Sequence, residues 1–243
     1  AYHQRWFEQN MEPGVTLQNI SDQRTGFQIA GPKAAEVLQA CTTANVADIK
    51  FLDVTELVVG STACLVQQVS YTGDHGFELY CDPMAQRALW DRLWEAGKPH
   101  GMTPFGMRAM MSLRLDRFFG SWLSEFSPDY TAAETGLDRF IAFRKNVDFI
   151  GRSAAEAERL TPPERQLVIF EVDAHDADAV AYEPVFINGT VQGFCTSGGY
   201  SHHAEKSIAF ALVPRAEVTD DLQAEIEILG QLRPAKRLLE PLL

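Results

Sequence analysis

The segment Ser70-Tyr71-Thr72-Gly73-Asp74-His75-Gly76-Phe77-Glu78-Leu79-Tyr80 joins a glycine-bracketed turn to a strongly alternating return arm. Residues 63–71, with Val66 and Val69, read as an incoming strand, and residues 77–80 return as the second arm of a hairpin. Alternation puts Phe77 and Leu79 on one face of that arm and Glu78 and Tyr80 on the other. With the apolar pair turned to a core, Glu78 is either a solvated strand glutamate or a carboxylate lining a cavity. Tyr71 stands close to it around the turn. A carboxylate beside an aromatic ring suits a flat, nitrogen-rich heterocycle. The carboxylate accepts two parallel N–H bonds while the ring covers a face.

Upstream of the hairpin, residues 15–20 and 26–30 both alternate as strands, and Gly31-Pro32 opens a helix with Ala34, Val37, Leu38 and Cys41 on its apolar face. Residues 54–60 read as the strand before the hairpin. Downstream, Asp82-Pro83 gives a cap and a first-turn proline for a helix over 84–96 ending at Gly97, and its Trp90/Trp94 pair reads as packing. Thr103-Pro104 repeats that start for a helix reaching Phe118. Residues 120–135 read as a long ordered loop and 137–143 as another strand.

Thr161-Pro162-Pro163-Glu164 is the best linker in the chain. Beyond it, residues 166–172, 181–187, 191–200, 208–213 and 224–229 are strand-like, with the hairpin signal Asn188-Gly189 between two of them. Short strands at this spacing form a small β-barrel or sandwich. The fold class is therefore α+β, with domains expected over 1–160 and 165–243.

Arg114 is the second candidate for chemistry. On a helical wheel the polar stripe of its helix is Arg108, Ser112 and Asp116, while Arg114 falls almost opposite, among Met107, Met110, Met111 and Phe118. A guanidinium on an apolar face needs a carboxylate or a ligand anion. Both a structural ion pair and a pocket-lining cation satisfy that need. His202-His203 has no partner at metal-ligand spacing, Gly198-Gly199 opens no helix that could hold a phosphate, and no serine sits in a nucleophile elbow.

Composition narrows the classes. With 33 acidic and 21 basic residues the net charge is -12, which repels nucleic acid in the absence of a basic cluster. No apolar run reaches the roughly 18 residues of a membrane span, and the opening residues carry no signal-peptide core. Cys41, Cys64, Cys81 and Cys195 are scattered with no Cys-x-x-Cys, so reduced, buried thiols in a cytoplasmic-type compartment are expected. No metal site is expected.

The hairpin resembles the Y-T-G-E-x-G-x-E-[LI]-Y segment of the glycine-cleavage T-protein (aminomethyltransferase) family. Further similarities follow in order: Ser112-Leu113-Arg114-Leu115-Asp116 to S-L-R-L-E, Glu134-Thr135-Gly136-Leu137 to E-A-G-L, and Asp148-Phe149-Ile150-Gly151-Arg152 to D-F-I-G-R. Thr196-Ser197-Gly198 with Lys206-Ser207-Ile208-Ala209 resembles the closing T-S-G and K-x-x-A. Within the family the chain is most similar to the C-terminal folate-binding half of dimethylglycine and sarcosine dehydrogenases.

That resemblance implies a truncated aminomethyltransferase folate-binding fold with a C-terminal small β-barrel. It implies tetrahydrofolate-dependent one-carbon transfer, with Glu78 and Tyr71 at the pterin and Arg114 on the folate-site helix. It further implies a small methylated amine as donor and, as partner, a missing N-terminal portion or a flavoprotein domain that would carry FAD. The family's domain begins before Ala1 and its catalytic aspartate lies there, so no catalytic residue is assigned and the chain alone is expected to be inactive. His75, Leu123 and Ala132 depart from the family pattern. The alternative is a folate-binding accessory protein of the iron–sulfur-assembly branch, whose K-G-C-[FY]-x-G-Q signature is replaced here by Asp148-Phe149-Ile150-Gly151-Arg152, without cysteine.

Overall fold

A computed structural model describes residues 2–243. The chain forms two compact units, the first ending at Pro104 and the second running from Phe105 to Leu243. This division cuts the chain earlier than one at the Thr161–Glu164 linker.

The first unit is a four-stranded antiparallel sheet with α2 and α3 packed on one face. Its elements are α1 (Tyr2–Asn10), β1 (Thr25–Ala30), α2 (Ala34–Gln39), β2 (Val54–Val59), β3 (Thr62–Gln67), β4 (Gly76–Cys81) and α3 (Gln86–Gly97). The strand order is β1-β4-β3-β2. Period-two alternation in β4 sends Phe77, Leu79 and Cys81 into the core, where they meet Val66 of β3, Leu38 of α2 and Leu89 of α3. The Asp82 carboxylate accepts the Met84 amide at 2.8 Å, and a 3-10 turn at Pro83–Ala85 leads into α3. Trp90 and Trp94 stack on each other, and Trp90 leans on Phe27.

The second unit holds α4 (Met107–Asp116), α5 (Ala132–Thr135), α6 (Arg152–Leu160) and six strands. These are β5 (Arg165–Val172), β6 (Pro184–Ile187), β7 (Thr190–Ser201), β8 (Lys206–Pro214), β9 (Gln223–Ile228) and β10 (Gln231–Leu238), closed into a barrel in the order β10-β5-β8-β7-β6-β9. Closure removes sheet edges, which settles the barrel over the sandwich. β8 is buried along nearly its whole length. Ala209, Ala211 and Val213 fill the barrel, while Ile208 and Phe210 pack outside it with Leu115 of α4.

Several expectations change. Residues 15–20 form no strand, because alternation makes a strand only beside a partner and β1 pairs with β4 alone. Residues 137–143 also form no strand. A capping box between Thr131 and Glu134 starts α5, and Gly136 in the left-handed region passes the chain into a 3-10 turn at Leu137–Phe140. α4 begins at Met107 rather than at Pro104, and β3 ends at Gln67, so the β3–β4 connection is longer than the hairpin reading has it. α1, α6 and β10 are additions. β10 is polar and contains Pro234, yet it closes the barrel by pairing with both β5 and β9. Asp116 belongs to the expected polar stripe of α4 but is buried.

All four cysteines are buried free thiols, and burial pushes Cys195 up to about 12. No helix among the described residues is long and apolar enough to cross a membrane.

Candidate functional site

Gly76 fixes where β4 begins. A Cβ there would lie 2.8 Å from the Ile29 carbonyl and 2.9 Å from the Ser70 side chain, so only glycine lets the long connection return this close to β1. From that start the alternation runs as the sequence indicates. Phe77 and Leu79 are fully buried, and Glu78 and Tyr80 take the other face, both half-buried.

Antiparallel register builds a polar row on that face. Glu78 lies opposite Gln28 of β1 on one side and Gln67 of β3 on the other. Directly opposed residues of neighbouring strands project side by side, so the row is continuous across three strands. The Tyr80 hydroxyl donates to the Glu78 carboxylate at 2.5 Å. The hydrogen bond to Glu78, and after it burial, raises the Tyr80 phenol to about 12, so near neutrality it keeps its proton and remains a donor. Gln28 has a buried amide nitrogen without a hydrogen-bond partner among the described residues. Tyr71 sits half-buried in the connection that leads into β4.

Arg114 belongs to the second unit, whereas Tyr71 and Glu78 belong to the first. It is 2% exposed and pairs with Glu125, which is 0% exposed, at 3.1 Å. Its Nη1 also donates to the Phe119 carbonyl and its Nε to the Met111 carbonyl, and its Cζ lies 5.0 Å from the Phe210 ring centre. The Glu125 carboxylate also accepts from the Ser121 amide, the Ser124 hydroxyl and the Thr196 hydroxyl. Burial alone would push its carboxyl up. The Arg114 charge and hydrogen bonds, those of Thr196 and the Ser121 amide among them, outweigh burial and hold it below the ordinary carboxylate range. Of the two readings open in the sequence, the ion pair is the one formed here.

Gln28, Gln67 and Glu125 carry no mark in the sequence that ties them to Glu78 or Arg114. The first two share a site with Glu78 only through register, which a single sequence does not carry. Tyr80 was visible, standing two residues from Glu78 on the same face.

The sequence model of the GCVT N-terminal domain matches residues 1–145, and that of the glycine cleavage T-protein C-terminal barrel domain matches residues 165–243. The chain belongs to the glycine cleavage T-protein family. Among this family's members, the mitochondrial dimethylglycine dehydrogenase of Homo sapiens is 37% identical over 243 residues, covering 98% of this chain and 28% of that protein. The aminomethyltransferase of Geobacillus sp. (strain WCH70) is 32% identical over 237 residues, covering 97% of this chain and 65% of that protein. The chain thus spans about a quarter of the dehydrogenase and under two thirds of the transferase. The crystal structure of glycine cleavage system aminomethyltransferase T from Bartonella henselae superimposes with a TM-score of 0.69 at 17% identity, covering 92% of this chain and 85% of that one, which shows the shared T-protein fold. Both of these relatives, the dehydrogenase and the transferase, are named as enzymes.

Proposed function

We propose that this chain binds the pterin head of a reduced folate against β4 and serves one-carbon transfer in a dimethylglycine dehydrogenase-like enzyme. The observation that carries the reading is the row Gln28–Glu78–Gln67, with Glu78 held by Tyr80 on the sheet face away from the core.

The row fits the ligand's edge. A pterin presents a carbonyl acceptor beside a ring N–H and an exocyclic amine. Glu78 accepts both N–H groups, and a charge-assisted pair of this kind is among the stronger hydrogen bonds. Gln28 has the complementary group, a donor with no partner of its own. Rotation about its soft terminal torsion offers that nitrogen to the carbonyl. Tyr71 supplies an aromatic ring for stacking. Tetrahydrofolate supplies the secondary amine that receives the carbon. The chain's residues orient that ligand and shield it from water, so their contribution is positioning. Within the second unit, Arg114 holds the Phe119–Glu125 loop through its buried pair.

A small methylated amine as donor, and an FAD-bearing or further transferase portion beyond this chain, belong to the same proposal. Four unpaired cysteines support a reducing compartment, the cytoplasm in this reading.

Titration calorimetry with tetrahydrofolate tests it. Glu78→Gln is expected to weaken binding by about 1.5–3 kcal/mol, since the new amide turns a donor toward the ligand's donors. Tyr80→Phe, which only frees the carboxylate to rotate, is expected to cost about 1 kcal/mol. Unchanged affinity in Glu78→Gln returns that residue to the solvated-strand reading.

A further inference from the structure

A cavity of about 680 Å³ lies within the second unit, between the end of α4, the α5 turn, α6 and the start of β5. Arg117, Arg139, Arg159 and Arg215 line it against two carboxylates, Asp138 and Glu158. A cationic wall is unexpected in a chain of net charge -12. Arg215 is fully engaged with the Pro163 and Ala133 carbonyls and the Gln166 side chain, so it is structural. Arg139 and Arg159 lie over the Phe140 and Phe143 rings. Arg117 is different. Its guanidinium has no hydrogen bond or ion pair among the described residues, and its Nε is shielded from solvent.

We propose that this cavity is a binding site for a small organic anion, a carboxylate or phosphate on an apolar body, with Arg117 as the residue that recognises the charge. A partly shielded guanidinium without an acceptor is unfavourable, and an anion entering the cavity supplies the acceptor in the forked geometry that arginine suits. The volume lies in the range of small-molecule sites and far exceeds what an inorganic ion fills. Phe118, Phe126, Leu167 and Ile169 provide the apolar wall for the rest of the ligand.

Phe118 adopts φ 58°, a left-handed conformation that a bulky residue rarely takes. The Phe118 and Phe119 amides hold the turn by donating to the Leu115 and Arg114 carbonyls. These bonds make Phe118 a left-handed cap that ends α4 and turns the chain along the cavity wall.

The test is titration calorimetry on the whole chain with benzoate and phenyl phosphate as probes, benzamide and inorganic phosphate as controls, and Arg117→Met as the variant. The expected result is saturable binding of at least one aromatic anion, weakened about tenfold or more in Arg117→Met, with both controls weaker. Without ligand, Arg117→Met is expected to melt no lower than the parent, because it removes an unpaired charge and keeps the stem. Any of four results overturns the proposal: no saturable binding of either aromatic anion, equal binding by the variant, benzamide matching benzoate, or inorganic phosphate matching phenyl phosphate, which marks an adventitious ion only. A lower melting point of the ligand-free variant likewise assigns Arg117 to structure alone.

Discussion

Replacing Glu125 with glutamine is expected to lower stability by about 3–5 kcal/mol, the range for breaking a buried ion pair from one side. The substitution keeps the shape and removes the charge. Arg114, 2% exposed, then sits in a low-dielectric setting with no compensating anion. The new amide also turns a donor into a cluster of donors, since Arg114, the Ser121 amide, Ser124 and Thr196 all point at this carboxylate. Urea unfolding measures the loss, and a change below about 0.5 kcal/mol, the size of an ordinary surface substitution, would show that the pair holds nothing. Acid adds a second reading. The folded carboxyl is held below its ordinary range, so the unfolded chain takes up the proton first as pH falls. The stabilisation is complete above the unfolded value and drains away as pH drops through the folded one. The gap between parent and Glu125→Gln is therefore expected to narrow on acidification.

What the sequence carried and what it withheld separate along one physical line. Local rules were legible: alternation in β4, the Asp82-Pro83 cap, and the Asn188-Gly189 turn between β6 and β7. Each depends on residues only a few positions apart. The misread strands at 15–20 and 137–143 obey the same local rules but have no neighbour to pair with. β10 is the reverse case. Its local signal is weak, and it becomes a strand because β5 and β9 leave two edges to be closed. At the candidate site, the identity of Glu78 and its face could be read from the period of two. Its companions Gln28 and Gln67 stand far away in sequence and meet it through register. Arg114 was legible as a problem, a charge on an apolar face. Glu125 as its answer was not, because the loop that returns it to α4 has no period to read.

Phe77→Ala and Glu78→Gln, one residue apart, are expected to have opposite consequences. Phe77 is fully buried beneath the hairpin, opposite Ile29 of β1, with the His75 ring edge-on at 5.1 Å. Truncating it removes a large buried surface and leaves a void that the sheet and α2 close only partly. The expected loss is about 3–5 kcal/mol of stability. At a temperature where the variant remains folded, Glu78 still projects from the other face, so most tetrahydrofolate affinity is expected to survive. Glu78→Gln should instead leave stability within about 0.5 kcal/mol while affinity falls. The inversion follows from the strand's period of two, which assigns one neighbour to the core and the next to the ligand face. Urea unfolding and calorimetry on both variants test it together. If Glu78→Gln destabilises the chain as much as Phe77→Ala, Glu78 is a structural residue and the pterin reading of the row fails. If Phe77→Ala costs less than about 1 kcal/mol, the hairpin does not rest on that side chain, and the frame that aims Glu78 must come from elsewhere in the sheet.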